Sequence, residues 1–149
     1  MVSCSQPRTP AVESPLGGLA PAQDYFQTPQ FLLVEDNPIN LKMLTHSMRK
    51  LQKPYCTAVN GQEAVNAYKE TPGQFKYVLM DISMPVMDGL EATRHIRAFE
   101  LYNGIAASKI IAVTGLGSES TREEATRSGV DVFITKPVKL RELEVVINS

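Results

Sequence analysis

Tyr77-Val78-Leu79-Met80-Asp81-Ile82-Ser83-Met84-Pro85-Val86-Met87-Asp88-Gly89 is an apolar, β-rich run that stops at a carboxylate, crosses a proline-containing loop and reaches a glycine where a helix can begin. The reading is strand, loop, helix, with the strand over Tyr77 to Met80 and the helix from near Gly89 to about Phe99. On either side the same alternation recurs, a short apolar run followed by a longer segment with apolar residues every three to four positions. Five such units predict parallel strands joined by crossover helices.

The first unit is Phe31 to Val34, then a helix opened by Pro38, which suits the first helical turn, with Ile39, Leu41, Leu44 and Met48 at apolar positions. Lys53-Pro54 closes it. The second runs from about Tyr55 to Val59, turns at Asn60-Gly61 and continues as a helix from Gln62 to Glu70, where Pro72-Gly73 breaks the chain. The fourth strand, Ile110 to Val113, ends at Thr114 and is followed by a helix from about Glu119 to Ser128, stopped by Gly129. The fifth, Val132 to Thr135, meets Lys136-Pro137 before a last helix from about Leu140. At most that helix reaches Asn148, which is short for a fifth packing helix and suggests a sequence that ends early.

Residues 1–29 have neither period, being mostly Ser, Pro, Gly, Ala, Gln and Thr, and they read as a flexible linker or tail ahead of one domain, 30–149. A chain of 149 residues has room for one core. With 43% hydrophobic and 21% charged residues and a net charge of −1, no global field draws the protein to nucleic acid or an anionic membrane. No apolar stretch approaches the roughly 20 residues of a spanning helix, and no leader pattern opens the chain, so a cytoplasmic or nuclear setting is expected. Cys4 and Cys56 lack metal-ligand or redox-pair spacing and are expected to be free thiols.

In open parallel α/β sheets the functional crevice lies beyond the carboxyl ends of the strands. Those ends carry Glu35 and Asp36, Asp81, Thr114 and Lys136. Carboxylates brought together from two strand ends need a cation to offset their repulsion, and an all-oxygen donor set favours Mg²⁺. A carboxylate beside such a metal can attack phosphorus while an ammonium and a hydroxyl steady the transferring oxygens. Asp81 is the nucleophile of choice, Glu35 and Asp36 a metal-binding pair, Lys136 a point charge, and Pro137 a residue that could aim it through a cis peptide. Taken singly, Asp36 reads as a solvated charge or helix cap, Thr114 as a turn residue and Lys136 as a surface charge. Their joint placement at strand ends is what informs.

The stretches Val34-Glu35-Asp36-Asn37, Met80-Asp81-Ile82-Ser83-Met84-Pro85-Val86-Met87-Asp88-Gly89, Thr114 and Lys136-Pro137 resemble the receiver domains of two-component phosphorelays, over about residues 30 to 149. In phrasing they are most similar to the C-terminal receivers of fungal hybrid histidine kinases. The resemblance implies a flavodoxin-like (βα)5 fold, a doubly wound five-stranded parallel sheet of order 2-1-3-4-5. It further implies that Asp81 accepts a phosphoryl group from the phosphohistidine of a histidine kinase or histidine-phosphotransfer protein. Mg²⁺ would be held by Asp36, Asp81 and the backbone carbonyl of Ser83, with Glu35 acting through water. Phe133, three residues before the lysine, takes the place of an aromatic that turns inward as the hydroxyl moves; on its own it reads equally as core packing. Where many receivers have alanine after the hydroxyl, this chain has Gly115, then Leu116-Gly117, which implies a looser switch loop.

The resulting expectation is a signalling switch that catalyses its own phosphorylation and slow dephosphorylation, with no nucleic-acid contact, no membrane segment and at most a transient homodimer. An aspartyl-phosphate hydrolase would have a second aspartate two residues after the nucleophile, and Ser83 stands there. A docking module that had lost the chemistry would lack acidic or lysine positions that are all present. His46 and His95 fall on separate helices without ligand-spaced partners. Ile39, Leu41 and Met43, beside the site, are expected to meet the phosphoryl donor.

Overall fold

The computed structural model describes residues 2–5, 28–115 and 117–149. Leu116 and most of the expected tail lie outside them. The elements follow one another as β1 (Ser3–Cys4), β2 (Phe31–Val34), α1 (Pro38–Lys50), β3 (Tyr55–Ala58), α2 (Gly61–Glu70), β4 (Tyr77–Asp81), α3 (Gly89–Asn103), β5 (Lys109–Thr114), α4 (Glu119–Ser128), β6 (Val132–Thr135) and α5 (Leu140–Ile147). All five expected strand–helix units are present. The sheet order is β1-β3-β2-β4-β5-β6, parallel throughout except at β1, which runs antiparallel to β3.

Two expectations are corrected here. The five parallel strands keep the relative order 2-1-3-4-5, but a sixth, antiparallel edge strand makes the sheet mixed. That strand carries Cys4, which faces Cys56 and is joined to it as a disulfide, so neither cysteine is a free thiol. Two residues are too few to show a strand period in sequence, and the pairing comes from the edge of β3 rather than from any local preference. In addition α3 continues past Phe99 to Asn103, ending at Gly104 in the left-handed conformation (φ 64°), because glycine there costs no Cβ clash.

Side chains of successive strand residues point to opposite faces, and that alternation builds two cores. Leu32, Val34, Val78, Met80 and Ile110 pack with Ala64, Val65 and Tyr68 of α2 and Ala92 and Ile96 of α3. Phe31, Leu33, Leu79, Ile111 and Val113 pack on the other face with Leu44 and Met48 of α1 and Leu143 of α5. Because β2, β4 and β5 are covered on both sides, their sequences read as unbroken apolar runs, and the first polar residues after them are at the same end of the sheet.

Candidate functional site

Helices α1 and α3 each start on a cap that leaves the neighbouring strand-end residue free for other work. Asn37 Oδ1 accepts from the Ile39 and Asn40 N–H groups at 2.9 and 3.1 Å and so caps α1, which removes the capping explanation for Asp36. Asp88 caps α3 by accepting from the Glu91 N–H at 2.8 Å. The loop between Asp81 and Asp88 is tied down at several points: the Ile82 N–H donates to the Val113 carbonyl at 3.1 Å, the Gly89 N–H to the Ile82 carbonyl at 2.9 Å, and the Gly61 N–H to the Met87 carbonyl at 3.0 Å.

Two glycines make that loop possible. A Cβ on Gly89 would stand 2.2 Å from the Asp81 carbonyl oxygen, and one on Gly61 would stand 2.4 Å from the Met87 carbonyl oxygen. Any larger residue would displace the backbone of the acceptor strand or its loop. In the sequence Gly89 reads only as a helix start and Asn60-Gly61 only as a turn; close approach of another backbone leaves no local signal. Val86, at the tip of the loop, has a positive φ of 73° and is 81% exposed, an arrangement rare for a β-branched residue.

An open cleft of about 350 Å³ at the carboxyl ends of the strands is bounded by Glu35, Asp36, Asp81, Ser83, Thr114 and Lys136. Five of these were expected there from the strand ends, and Ser83 from the family resemblance. Lys136 Nζ lies 2.9 Å from Glu35 Oε1 and 3.3 Å from Asp81 Oδ1. Glu35 is buried and also accepts from the Asn37 N–H at 3.2 Å. Asp36 and Ser83 are exposed, and the Lys136 N–H donates to the Thr114 carbonyl at 2.7 Å, joining the ends of β5 and β6. The Lys136–Pro137 peptide is cis.

Burial pushes the Asp81 carboxyl up to about 7, helped by the hydrogen bond and negative charge of Glu35 and opposed by Lys136. Burial also acts against a charged Glu35, but hydrogen bonds with Asp81, Lys136 and the Asn37 N–H outweigh it and leave that carboxyl below its ordinary value. The same pair outweighs the desolvation of Lys136 and holds its ammonium above its usual range. The two carboxyls are thus pushed apart, Asp81 upward and Glu35 downward, as facing acids that resist joint ionisation are. Carboxylate oxygens of Glu35, Asp36 and Asp81 lie within 4.8 Å of one another. An all-oxygen set so closely spaced fits a hard divalent cation such as Mg²⁺.

Phe133 does not line the cleft. It packs beside Ile82, Leu90, Ala112 and Ala125, and the guanidinium of Arg122 lies over its ring, 4.8 Å from the centroid. That stacked arginine, on α4, is a neighbour the sequence did not reveal, since nothing in residue spacing pairs position 122 with 133. Beside the cleft, a smaller cavity of about 240 Å³ shares Glu35 and Lys136 and is otherwise lined largely by apolar groups, among them Met43, Leu44 and Val138. Met43, which lines it, is 52% exposed; Ile39 on the same helix is 71% exposed, whereas Leu41 packs against the core. Among the described residues no helix is long and apolar enough to cross a membrane.

Residues 31–148 match the response regulator receiver domain family. The chain is 39% identical over 76% of its length to the response regulator SSK1 of Arthrobotrys oligospora, covering 13% of that protein. It is 37% identical over 75% of its length to the osmolarity two-component system protein SSK1 of Saccharomyces cerevisiae, covering 19% of it. To the peroxide stress-activated histidine kinase mak1 of Schizosaccharomyces pombe it is 32% identical over 79% of its length, covering 7% of it. The chain therefore spans less than a fifth of these relatives. Among solved structures, the Saccharomyces cerevisiae Ssk1 receiver domain, crystallised with the histidine phosphotransfer protein Ypd1, superposes with a TM-score of 0.74 at 39% identity, covering 82% of this chain and 89% of that one. The receiver domain of a Pseudomonas aeruginosa sensor histidine kinase, with a magnesium ion coordinated in its active-site cleft, gives 0.71 at 32% identity, covering 82% and 96%.

Proposed function

This chain belongs to the response regulator receiver domain family, and from that premise we propose that it is a phosphoryl-accepting signalling switch with Asp81 as its acceptor. The observation that carries the assignment is the position of Asp81, at the end of the middle strand, facing a cleft in which Lys136 stands 3.3 Å from its carboxyl. A carboxylate so placed can attack phosphorus with a fixed positive charge already beside it.

Asp36, Asp81 and the carbonyl of Ser83 would hold Mg²⁺, with Glu35 acting through water; the bound ion would neutralise charge on the transferring phosphoryl group. Lys136 would steady one phosphoryl oxygen, and Thr114, at the end of β5, would donate a hydrogen bond to another. Its own aspartyl-phosphate would then be lost slowly to water in the same cleft. Phe133 would follow Thr114, linking the cleft to α4 and β6.

The donor is read as a phosphohistidine on a histidine-phosphotransfer protein or histidine kinase. Support comes from the similarity to a receiver crystallised with a phosphotransfer protein, from exposed Ile39 and Met43 on α1, and from the apolar cavity lined by Met43 that shares Glu35 and Lys136 with the cleft. The narrower resemblance to the C-terminal receivers of hybrid kinases competes with an SSK1-type placement, which the higher identities, 39% and 37% against 32%, favour.

Acetyl phosphate with Mg²⁺ should add one phosphoryl group to the intact mass, and Asp81→Asn should abolish the addition. An unchanged mass, or addition retained in Asp81→Asn, would overturn the assignment.

A further inference from the structure

β1 lies ahead of the residues matched by the receiver family and plays no part in the phosphoryl site. Alone, two residues cannot hold a place on a sheet. Four hydrogen bonds, the packing of Val2 on the core and a covalent bond do so here, Ser5 Oγ donating to the Tyr55 carbonyl at 3.0 Å. The Ser5 N–H donates to the Tyr55 carbonyl at 2.7 Å, the Tyr55 N–H donates to Ser5 Oγ at 2.9 Å, and Thr57 Oγ1 donates to the Ser3 carbonyl at 3.2 Å. Hydrogen bonding at the 5–55 pair leaves Cys4 and Cys56 at the adjacent, non-hydrogen-bonded position, where side chains of antiparallel strands come closest. Their sulfurs are joined.

The two cysteines differ in access. Cys4 is exposed, whereas Cys56 is 1% exposed and belongs to the core that β2 and β4 form with α2 and α3. Solvent therefore reaches the bond from the Cys4 side.

We propose that Cys4 and Cys56 form a reversible redox latch, which as a disulfide fastens residues 2–5 to the edge of β3 and as two thiols releases them. In opening, a thiolate of a small thiol attacks the accessible Cys4 Sγ, the S–S bond breaks, and Cys56 leaves as a thiolate that takes a proton from solvent. A second small thiol then attacks the mixed disulfide, returning Cys4 as a thiol and leaving a small-molecule disulfide. Closing is the reverse, with glutathione disulfide as the two-electron oxidant. Once the bond is open, four hydrogen bonds at a solvent-facing edge and the partly buried Val2 do not outweigh the entropy of ordering a four-residue segment. The edge of β3 is then a row of unpaired backbone groups able to take another strand. Two residues beyond Cys56, the Ala58 carbonyl accepts from the Glu35 N–H at 3.1 Å, so β3, which the latch grips by one edge, meets the acidic pair by the other.

The test compares the full chain treated with glutathione disulfide and with dithiothreitol, read by intact mass, non-reducing electrophoresis and amide hydrogen exchange. The oxidised chain should be a monomer, lighter by the two thiol hydrogens, resistant to iodoacetamide, and slower in exchange at the Ser5 and Tyr55 amides by on the order of tenfold. Cys4→Ser, which leaves the core cysteine in place, should exchange like the reduced chain under both conditions. Glutathione carried on either cysteine, a disulfide-linked dimer, equal exchange in the two forms, or full protection in Cys4→Ser would each overturn the latch.

Discussion

Gly89 lies so close to Asp81 that a Cβ added to it would stand 2.2 Å from the Asp81 carbonyl oxygen and 2.8 Å from Met80 Cγ. The first turn of α3 is therefore the wall against which the acceptor strand is set. Gly89→Ala should lower stability by about 1–3 kcal/mol, since the blocked atom is backbone and cannot swing aside. Phosphoryl uptake from acetyl phosphate should slow at the same time. Urea unfolding with an uptake time course checks both, and a variant as stable and as fast as the parent would refute the packing argument.

Replacing Asp81 by Asn should stabilise the metal-free protein even as it abolishes uptake. The folded carboxyl is raised to about 7 from an ordinary 3.8. Its contribution to stability is fully present below the unfolded value and is lost as pH rises through about 7. Asp81→Asn should therefore match the parent at pH 4 and exceed it by at least about 1 kcal/mol at pH 8 without metal. Urea midpoints across that range measure the gap, and a gap that closes with rising pH would contradict the assignment.

Far from the cleft, Tyr68 is buried with its hydroxyl bonded to Glu100 and 2.5 Å from Ser108 Oγ. Burial, reinforced by the Glu100 carboxylate, pushes the phenol up to about 12 from 10. The stability this gives is complete below pH 10 and is lost as pH rises through about 12, a loss of about 2–3 kcal/mol. Tyr68→Phe should be less stable than the parent at pH 8 and lose less between pH 10 and 12. Parallel alkaline unfolding curves for the two proteins would argue against the network.

Arg122 over Phe133 should contribute about 0.5–1 kcal/mol as a cation on an aromatic face. Arg122→Ala should lose that amount, and Arg122→Lys should retain part of it. A double-mutant cycle with Phe133→Leu isolates the contact; a coupling energy of zero would show that the two side chains are merely adjacent.

The parallel strands and five of the residues around the cleft, Glu35, Asp36, Asp81, Thr114 and Lys136, were legible because each apolar run ends abruptly in a polar residue, and a parallel sheet collects such ends on one side; Ser83 came only with the family resemblance. What could not be read depended on partners distant in sequence. Ser3–Cys4 is strand only because the edge of β3 accepts it. The last turn of α3 carries Leu101 and Tyr102, 87% and 90% exposed, so no buried stripe marked it and the helix was read too short. Gly61, Gly89 and the positive φ of Val86 concern how near one backbone passes to another, which composition does not record.

The glycines divide the cleft into two unequal halves. On the side of α2 and α3, backbone oxygens fill the space beside Gly61 and Gly89, and the loop after Asp81 is clamped between two helix starts. On the other side a Cβ at Gly115 would meet nothing within 4 Å. Among the described residues, the cleft thus has one wall set by backbone packed against backbone, on the side of α2 and α3, and open space beside Gly115 on the other.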